Sequence, residues 1–454
     1  MRGRLAEILG ADVRALATLR VGLGVLLLVD LGERAGSLVA HYTDAGVLSR
    51  ADLVRLSGRR AFASVYLLSG TWEGQALLFV VAAVCAVALL VGYRTTLATV
   101  ASWIFFTSLN ARNPGVVYGF DGLLRVVLFW AMFLPLGACW SVDTRRSYGT
   151  HGPSRRVLSA GTVAYLVQIA LVYLITGFRK SAPEWRTDGT ALYYALSIDQ
   201  LVTPLGHQML AFPSLLKALT PAVLWLELLG PFLLFAPVGT VVVRTFAVLA
   251  FVLLHVGIGL TLHTGLFPWI SLLALVPFLP SKLWDRLGTW ARVGRGAEDD
   301  EAGERPATSM RSRLVRLIVA GVFAYIIVWG VSALPSSPLR LPPHVRSLAF
   351  VMGIDQTWNM FAPAPLKDDG WYVIPGRLAS GEVVDLFRGG GAVRWDKPEP
   401  VAATFPSTRW MRYMNVVRYY PGYAPGYARY LCQRWNDAHG ADRRLQELEI
   451  VFML

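Results

Sequence analysis

"TVAYLVQIALVYLITGFRK", residues 162–180, carries no charged side chain until Arg179 and Lys180 close it. At about 1.5 Å per residue, a helix of this length crosses a hydrocarbon core of about 30 Å. The stretch therefore reads as a membrane span ending in two cations. On that helix Tyr173, Thr176 and Lys180 stand at i, i+3 and i+7 and share a face, with Gln168 about one turn further in. The remaining faces are Leu, Val, Ile and Ala, so this polar stripe is set to face other helices and not lipid.

The rest of the chain has the same character. Of 454 residues, 54% are hydrophobic and only 16% charged, too little polar surface to cover a water-soluble globule. Apolar runs bounded by Pro, Gly or charge fall at 13–32, 74–93, 95–111, 120–138, 157–179, 217–236, 241–262, 265–281 and 313–333. We expect an all-α polytopic membrane bundle of about nine transmembrane helices. The eighth run, "GLFPWISLLALVPFLP", is short and broken by prolines, so it is expected to be tilted or kinked. Arg14 and Arg20 enter the first run and no small-residue cleavage site closes it, which reads as a retained span.

The formal net charge of +13 does not indicate nucleic acid, because the arginines lie in short loops between apolar runs and form no basic domain. They read as topology signals. "MRGR", "YRTT", "DTRRSYGTHGPSRR" and the charged stretch from Ser281 to Arg313 fall on one side if the spans alternate, and that side is expected to be the cytoplasm of a multi-pass cell-membrane protein. Residues 1–285 then form the multi-span core, 286–312 a charged cytoplasmic linker, 313–333 the ninth span, and 337–454 a small extracytoplasmic α+β domain. Within that domain "GWYVIPGRLASGEVVDL" reads as two strands joined by a Ser-Gly turn, and "RWMRYMNVVRYY" and "GYARYLCQRWNDAHG" as short helices.

Chemistry-bearing motifs are few. There is no phosphate-binding glycine loop, no HExxH helix and no GxSxG elbow. Cys85, Cys139 and Cys432 form neither a disulfide framework nor a CxxC site, so no metal is expected. What remains is ionisable groups near or inside spans, each costly there. Lys180 has two readings: an interfacial anchor, with Tyr173 and Trp185 in the aromatic belt, or a base. The chain uses only five lysines (Lys180, Lys217, Lys282, Lys367 and Lys397) among its 43 basic residues, so an anchor would more readily have been arginine, as Arg179 is. Lysine is the cation that gives up its proton. Asp121 and Arg125, at i and i+4 near an outer helix end, form a self-neutralising pair, as a staple or as chemistry. His255 and His263 lie two turns apart, too far for one metal ion, and read as packing residues or cavity groups. Glu184 and His207 carry weaker signals.

With those residues in place, "QIALVYLITGFRKSAPEW" resembles the vitamin K-dependent γ-glutamyl carboxylase family and its HTTM membrane domain. The shared pattern, Q-I-x-x-V-Y-x-I-x-G-x-x-K-x-x-x-x-W, is occupied by Gln168, Ile169, Val172, Tyr173, Ile175, Gly177, Lys180 and Trp185. Residues 17–48 resemble the start of bacterial members, "FLPLGACWSVD" is similar to the segment after the fourth span, and residues 253–280 resemble the last core spans, with His255 on a family histidine. The resemblance implies that Lys180 deprotonates a reduced naphthoquinone, that oxygen converts the anion into an alkoxide base, and that a glutamate of a secreted peptide or protein then captures CO2. Tyr173, Thr176, Gln168, Trp185, His255, Asp121 and Arg125 would be cavity or supporting residues. The chain departs from the animal enzymes at Ala138, where they have histidine, and in its shorter C-terminal region. The alternatives are a non-carboxylating factor for maturation or export of a secreted peptide, and a quinone-binding oxidoreductase subunit. The other expected partner is the lipid bilayer.

Overall fold

The computed structural model describes residues 2–147, 155–291, 310–334 and 337–454. Six of its helices are long and apolar enough to cross a membrane: α1 (Val13–Ala35), α2 (Trp72–Val91), α5 (Ala160–Arg179), α6 (Pro213–Leu233), α7 (Thr240–Thr261) and α9 (Met310–Ser332). The chain is a multi-pass membrane protein. The other three expected spans are helical but differ in kind. In α3 (Thr95–Arg112), Thr, Ser, Asn and Arg interrupt the apolar run; α4 (Gly119–Ala131) has 13 residues; α8 (Phe267–Leu275) has nine and passes into a 3-10 turn, Val276–Phe278.

The helix ends follow from local chemistry. Ser159 caps α5, accepting from the Thr162 amide at 3.2 Å, while the Thr162 hydroxyl accepts from the Ser159 amide at 2.8 Å. At the other end the Lys180 amide makes the last helical bond, to the Thr176 carbonyl, and the chain turns away before Pro183. Helix α2 ends on Gly92 at φ +71°, the left-handed cap that glycine favours.

The arginine-bearing loops meet at one end of the bundle. Strand residues Ala11–Asp12 pair with Arg156–Val157, Arg14 bridges to Asp285 at 2.8 Å, and Asp143 accepts from the Arg94 and Thr95 amides at 2.8 and 2.7 Å. Arg20, buried in α1, donates to the Trp140 carbonyl at 2.6 Å. "WSVD", residues 140–143, therefore builds this turn and the cap of α3. The start of α5 packs Gly161 against Phe133, so Ala138, five residues on, belongs to the end of α5 away from Lys180.

The C-terminal region supplies the strands. A four-stranded antiparallel sheet runs β4-β3-β2-β5, where β2 is Pro375–Leu378, β3 Val383–Asp385, β4 Gly391–Ala392 and β5 Leu445–Leu448. The expected Ser-Gly hairpin joins β2 to β3, with Pro375 opposite Asp385 and Gly381 at φ +87°. The preceding residues form a separate strand, β1 (Trp371–Val373), which pairs with β6 (Val451–Met453). The two expected helices are α10 (Thr408–Tyr419) and α11 (Ala424–Ala438). Of the expected linker, residues 292–309 lie outside the described residues; 286–291 close a helix, Ser281–Ala291, and 310–312 open α9.

This region packs into the bundle. Ala349, Ile354 and Trp358 share a core with α1, α4, α5 and α7, while Tyr372, Trp410, Tyr413 and Tyr427 share a second core with Tyr42, Tyr66 and Phe79. Between them lie four buried charges. Arg34 donates to Asp30 at 2.8 Å and also bonds Asp121; Arg409, from α10, bonds Asp30 and reaches Asp121 at 3.3 Å. Two guanidiniums thus balance two carboxylates. The expected Asp121–Arg125 pair does not form, because Arg125 turns to Asp355 at 3.1 Å. One helical turn places two side chains as neighbours, but partners from other segments satisfy them better.

Candidate functional site

The polar stripe of α5 ends in a buried ion pair. Lys180 is 4% exposed, and its Nζ lies 2.6 Å from both carboxylate oxygens of Glu227 on α6, itself 6% exposed. Two features bring them together. Gly177 lets α6 approach: a Cβ there would stand 3.0 Å from Leu228 and 3.3 Å from the Glu227 Cβ. Pro231, four residues after Glu227, removes the helical hydrogen bond to the Glu227 carbonyl. Trp185 covers the amine, with Lys180 Nζ 4.2 Å from its ring centroid. Its indole N–H donates to the Phe361 carbonyl at 2.8 Å, and Arg186 donates to the Lys180 carbonyl at 2.8 Å.

About two helical turns further in, the Tyr173 hydroxyl and His255 Nε2 are 2.8 Å apart, and both residues are buried. Tyr173 stacks on Phe251 at 4.0 Å, and Phe267 meets the His255 ring edge-on at 5.8 Å. The two pairs share one face of α5, since Tyr173 and Lys180 stand at i and i+7 on it. His255 Nδ1 is buried with no hydrogen-bond partner among the described residues. It is the atom of the two pairs left to bond a further group.

Four of the sequence-derived candidates thus converge: Lys180, Tyr173, His255 and Trp185. Four do not. Thr176 turns its hydroxyl back to the Val172 carbonyl of its own helix at 2.7 Å. Gln168 pairs its side-chain amide with that of Gln356 at 2.9 and 3.2 Å. Asp121 and Arg125 belong to the charge networks described above. Arg179 bonds the Ala333 carbonyl at the end of α9, an anchor to protein. Glu184 pairs with Lys367 at 2.6 Å.

Glu227 is the residue the sequence reading missed. Its signal was present: a lone carboxylate inside the run "AVLWLELLGPFLL", which a span carries only with a partner. No group of His, Cys, Asp and Glu among the described residues is arranged to hold a metal ion. His207 and His263 line a separate cavity of about 1040 Å³ between the loop at 199–208 and the C-terminal segment 397–411.

Chemically, the Lys180–Glu227 pair is neutral whether the proton between them sits on nitrogen or on oxygen. As a unit it accepts one proton and becomes a cation beside whatever anion that proton leaves behind. Tyr173 and His255 give a second route for a proton, through a hydroxyl that both donates and accepts.

No curated protein and no solved structure matches the chain. The HTTM domain matches residues 10–284, well over half the chain, a range that holds Lys180, Glu227, Tyr173, His255 and Trp185. The chain belongs to the HTTM domain family.

Proposed function

We propose that this is a membrane enzyme that takes a proton from a reduced naphthoquinone at the Lys180–Glu227 pair and, with O2 and CO2, carboxylates glutamate in a secreted peptide or protein. The buried pair beside Tyr173 and His255 carries this reading. The family relates the chain to vitamin K-dependent carboxylases at the level of the domain.

The residues fit such a ligand. Phe251, Phe267 and Trp185 supply aromatic faces, Lys180–Glu227 a proton acceptor, and His255 Nδ1 a ring nitrogen without a partner among the described residues. When bound, the quinol would supply a phenolic proton and the electrons that reduce oxygen. Lys180 and Glu227 are the residues that would take up that proton, and their positive charge would then stand beside the group that lost it. Trp185 keeps water from the amine, and Tyr173 fixes the ring of His255 through Nε2. The arginine-bearing loops at the opposite end support a cytoplasmic N-terminus with the site and C-terminal region on the outer side.

Membranes holding the protein, given reduced naphthoquinone, labelled bicarbonate and a glutamyl peptide, test the reading. Label in the peptide together with quinone epoxide supports it. Neither product favours a maturation or export factor.

A further inference from the structure

Lys180 is covered from the C-terminal side by one extended segment. After Gly353 the chain runs along the bundle: Arg125 donates to the Asp355 carbonyl at 2.8 Å, Trp329 to the Gln356 carbonyl at 2.7 Å, and Trp358 to the Gln356 side chain at 3.0 Å. It ends at Phe361, whose carbonyl holds Trp185, and at Pro363, whose carbonyl accepts from the Ala182 amide at 3.4 Å. Phe361 has φ +53°. For a bulky residue this is a strained conformation, of the kind that persists only where surroundings enforce it and that collects at functional sites.

The Phe361 side chain stands between two places. On one side it packs against the cluster of Trp185, Ala191, Leu224 and Leu228, whose Trp185 covers the Lys180 amine. On the other it packs against the cluster of Leu196, Val202, Leu216 and Leu262. Val202 also lines the cavity of about 1040 Å³, as does His263, the neighbour of Leu262. From that cavity to the amine the path therefore runs through the cluster that holds Val202, then Phe361, then Trp185. The volume exceeds the roughly 300–1,000 Å³ of small-molecule pockets, and the walls are two chain segments facing each other.

We propose that Phe361 is a door between this cavity and the Lys180 site, through which a peptide lying in the cavity passes its reacting side chain. The peptide rests on the function proposed above; the door does not. In the closed state the site is dry, and rotation of Phe361 with its strained backbone connects the two spaces. The same motion loosens Trp185, because its indole is held by the Phe361 carbonyl.

Lysine acylation by a water-soluble reagent tests the door without any turnover. The purified full-length protein in detergent is treated with sulfonated N-hydroxysuccinimide acetate. Modification of Lys180 is followed by mass spectrometry against the exposed Lys217. Lys180 in the parent protein reacts slowly. Phe361→Ala raises its rate at least about tenfold relative to Lys217, since a tenfold change needs only about 1.4 kcal/mol and a lost Phe side chain costs more than that. In a background with Cys85, Cys139 and Cys432 replaced by alanine, a bulky maleimide on the His263→Cys variant removes that gain. A disulfide between Ala182→Cys and Pro363→Cys, with Phe361 intact, suppresses Lys180 modification until reductant is added, which separates a door from mere unfolding. An unchanged Lys180 to Lys217 ratio in Phe361→Ala overturns the proposal, as does a gain that survives blockage of the cavity. Absent carboxylation with these labelling results intact would refute the reaction and leave the door standing.

Discussion

Lys180 Nζ lies 2.6 Å from both carboxylate oxygens of Glu227, joining the end of α5 to the interior of α6. With both side chains almost fully buried, each charge depends on the other. Lys180→Met should therefore destabilise the protein by about 3–5 kcal/mol, the cost of stranding one partner of a buried pair. Adding Glu227→Gln should recover most of that loss. Thermal unfolding of the two single variants and the double variant in detergent measures the coupling, and additive losses would show that the contact does not form.

Tyr173→Phe removes the hydroxyl beside His255 Nε2 and keeps the ring stacked on Phe251. It leaves a buried ring nitrogen without its partner, at about 1–3 kcal/mol. Activity should fall more in kcat than in KM if His255 serves the reacting group, and His255→Gln should fall similarly. A change confined to KM would assign the pair to ligand binding alone.

Arg409 is the fourth charge of the cluster with Asp30, Arg34 and Asp121. Arg409→Met leaves one uncompensated carboxylate and should cost about 3–5 kcal/mol. The C-terminal region, docked through this contact, should become the first segment cut in limited proteolysis. Arg409→Met with Asp121→Asn restores neutrality and should regain part of the protection.

His41 lies in the short helix Leu38–Tyr42 after α1, fully buried against Trp410, with neither ring nitrogen bonded among the described residues. Burial, then the guanidiniums of Arg409 and Arg34, push its pKa down to about 3. The unfolded chain, at about 6.5, binds a proton that the folded protein refuses. Stability should therefore fall as pH drops below about 6.5 toward 3. His41→Phe should flatten that slope in thermal unfolding across pH 7 to 4. An unchanged slope would place the acid sensitivity elsewhere.

Much of this was legible in the chain. The run at 162–180 announces its span, and Tyr173, Lys180 and Trp185 announce the polar end of it, because helical spacing and membrane cost are local properties. The pairings were not legible. Glu227 meets Lys180, and Asp121 meets Arg34 and Arg409, across helices whose contacts depend on packing at Gly177 and on the docking of α10. Local spacing suggested Asp121 with Arg125 and could not weigh a partner nearly 300 residues away. Apolar runs in the sequence did not separate the six long helices from α4 and α8, which have 13 and nine residues.

The central claim is that the Lys180–Glu227 pair takes the quinol proton. Peptide carboxylation with labelled bicarbonate, compared among the parent protein, Lys180→Met and Glu227→Gln at matched folded amounts, tests it most directly. The parent should incorporate label, and each variant should lose about 10²–10⁴-fold. Incorporation by Lys180→Met at the parent rate would contradict it.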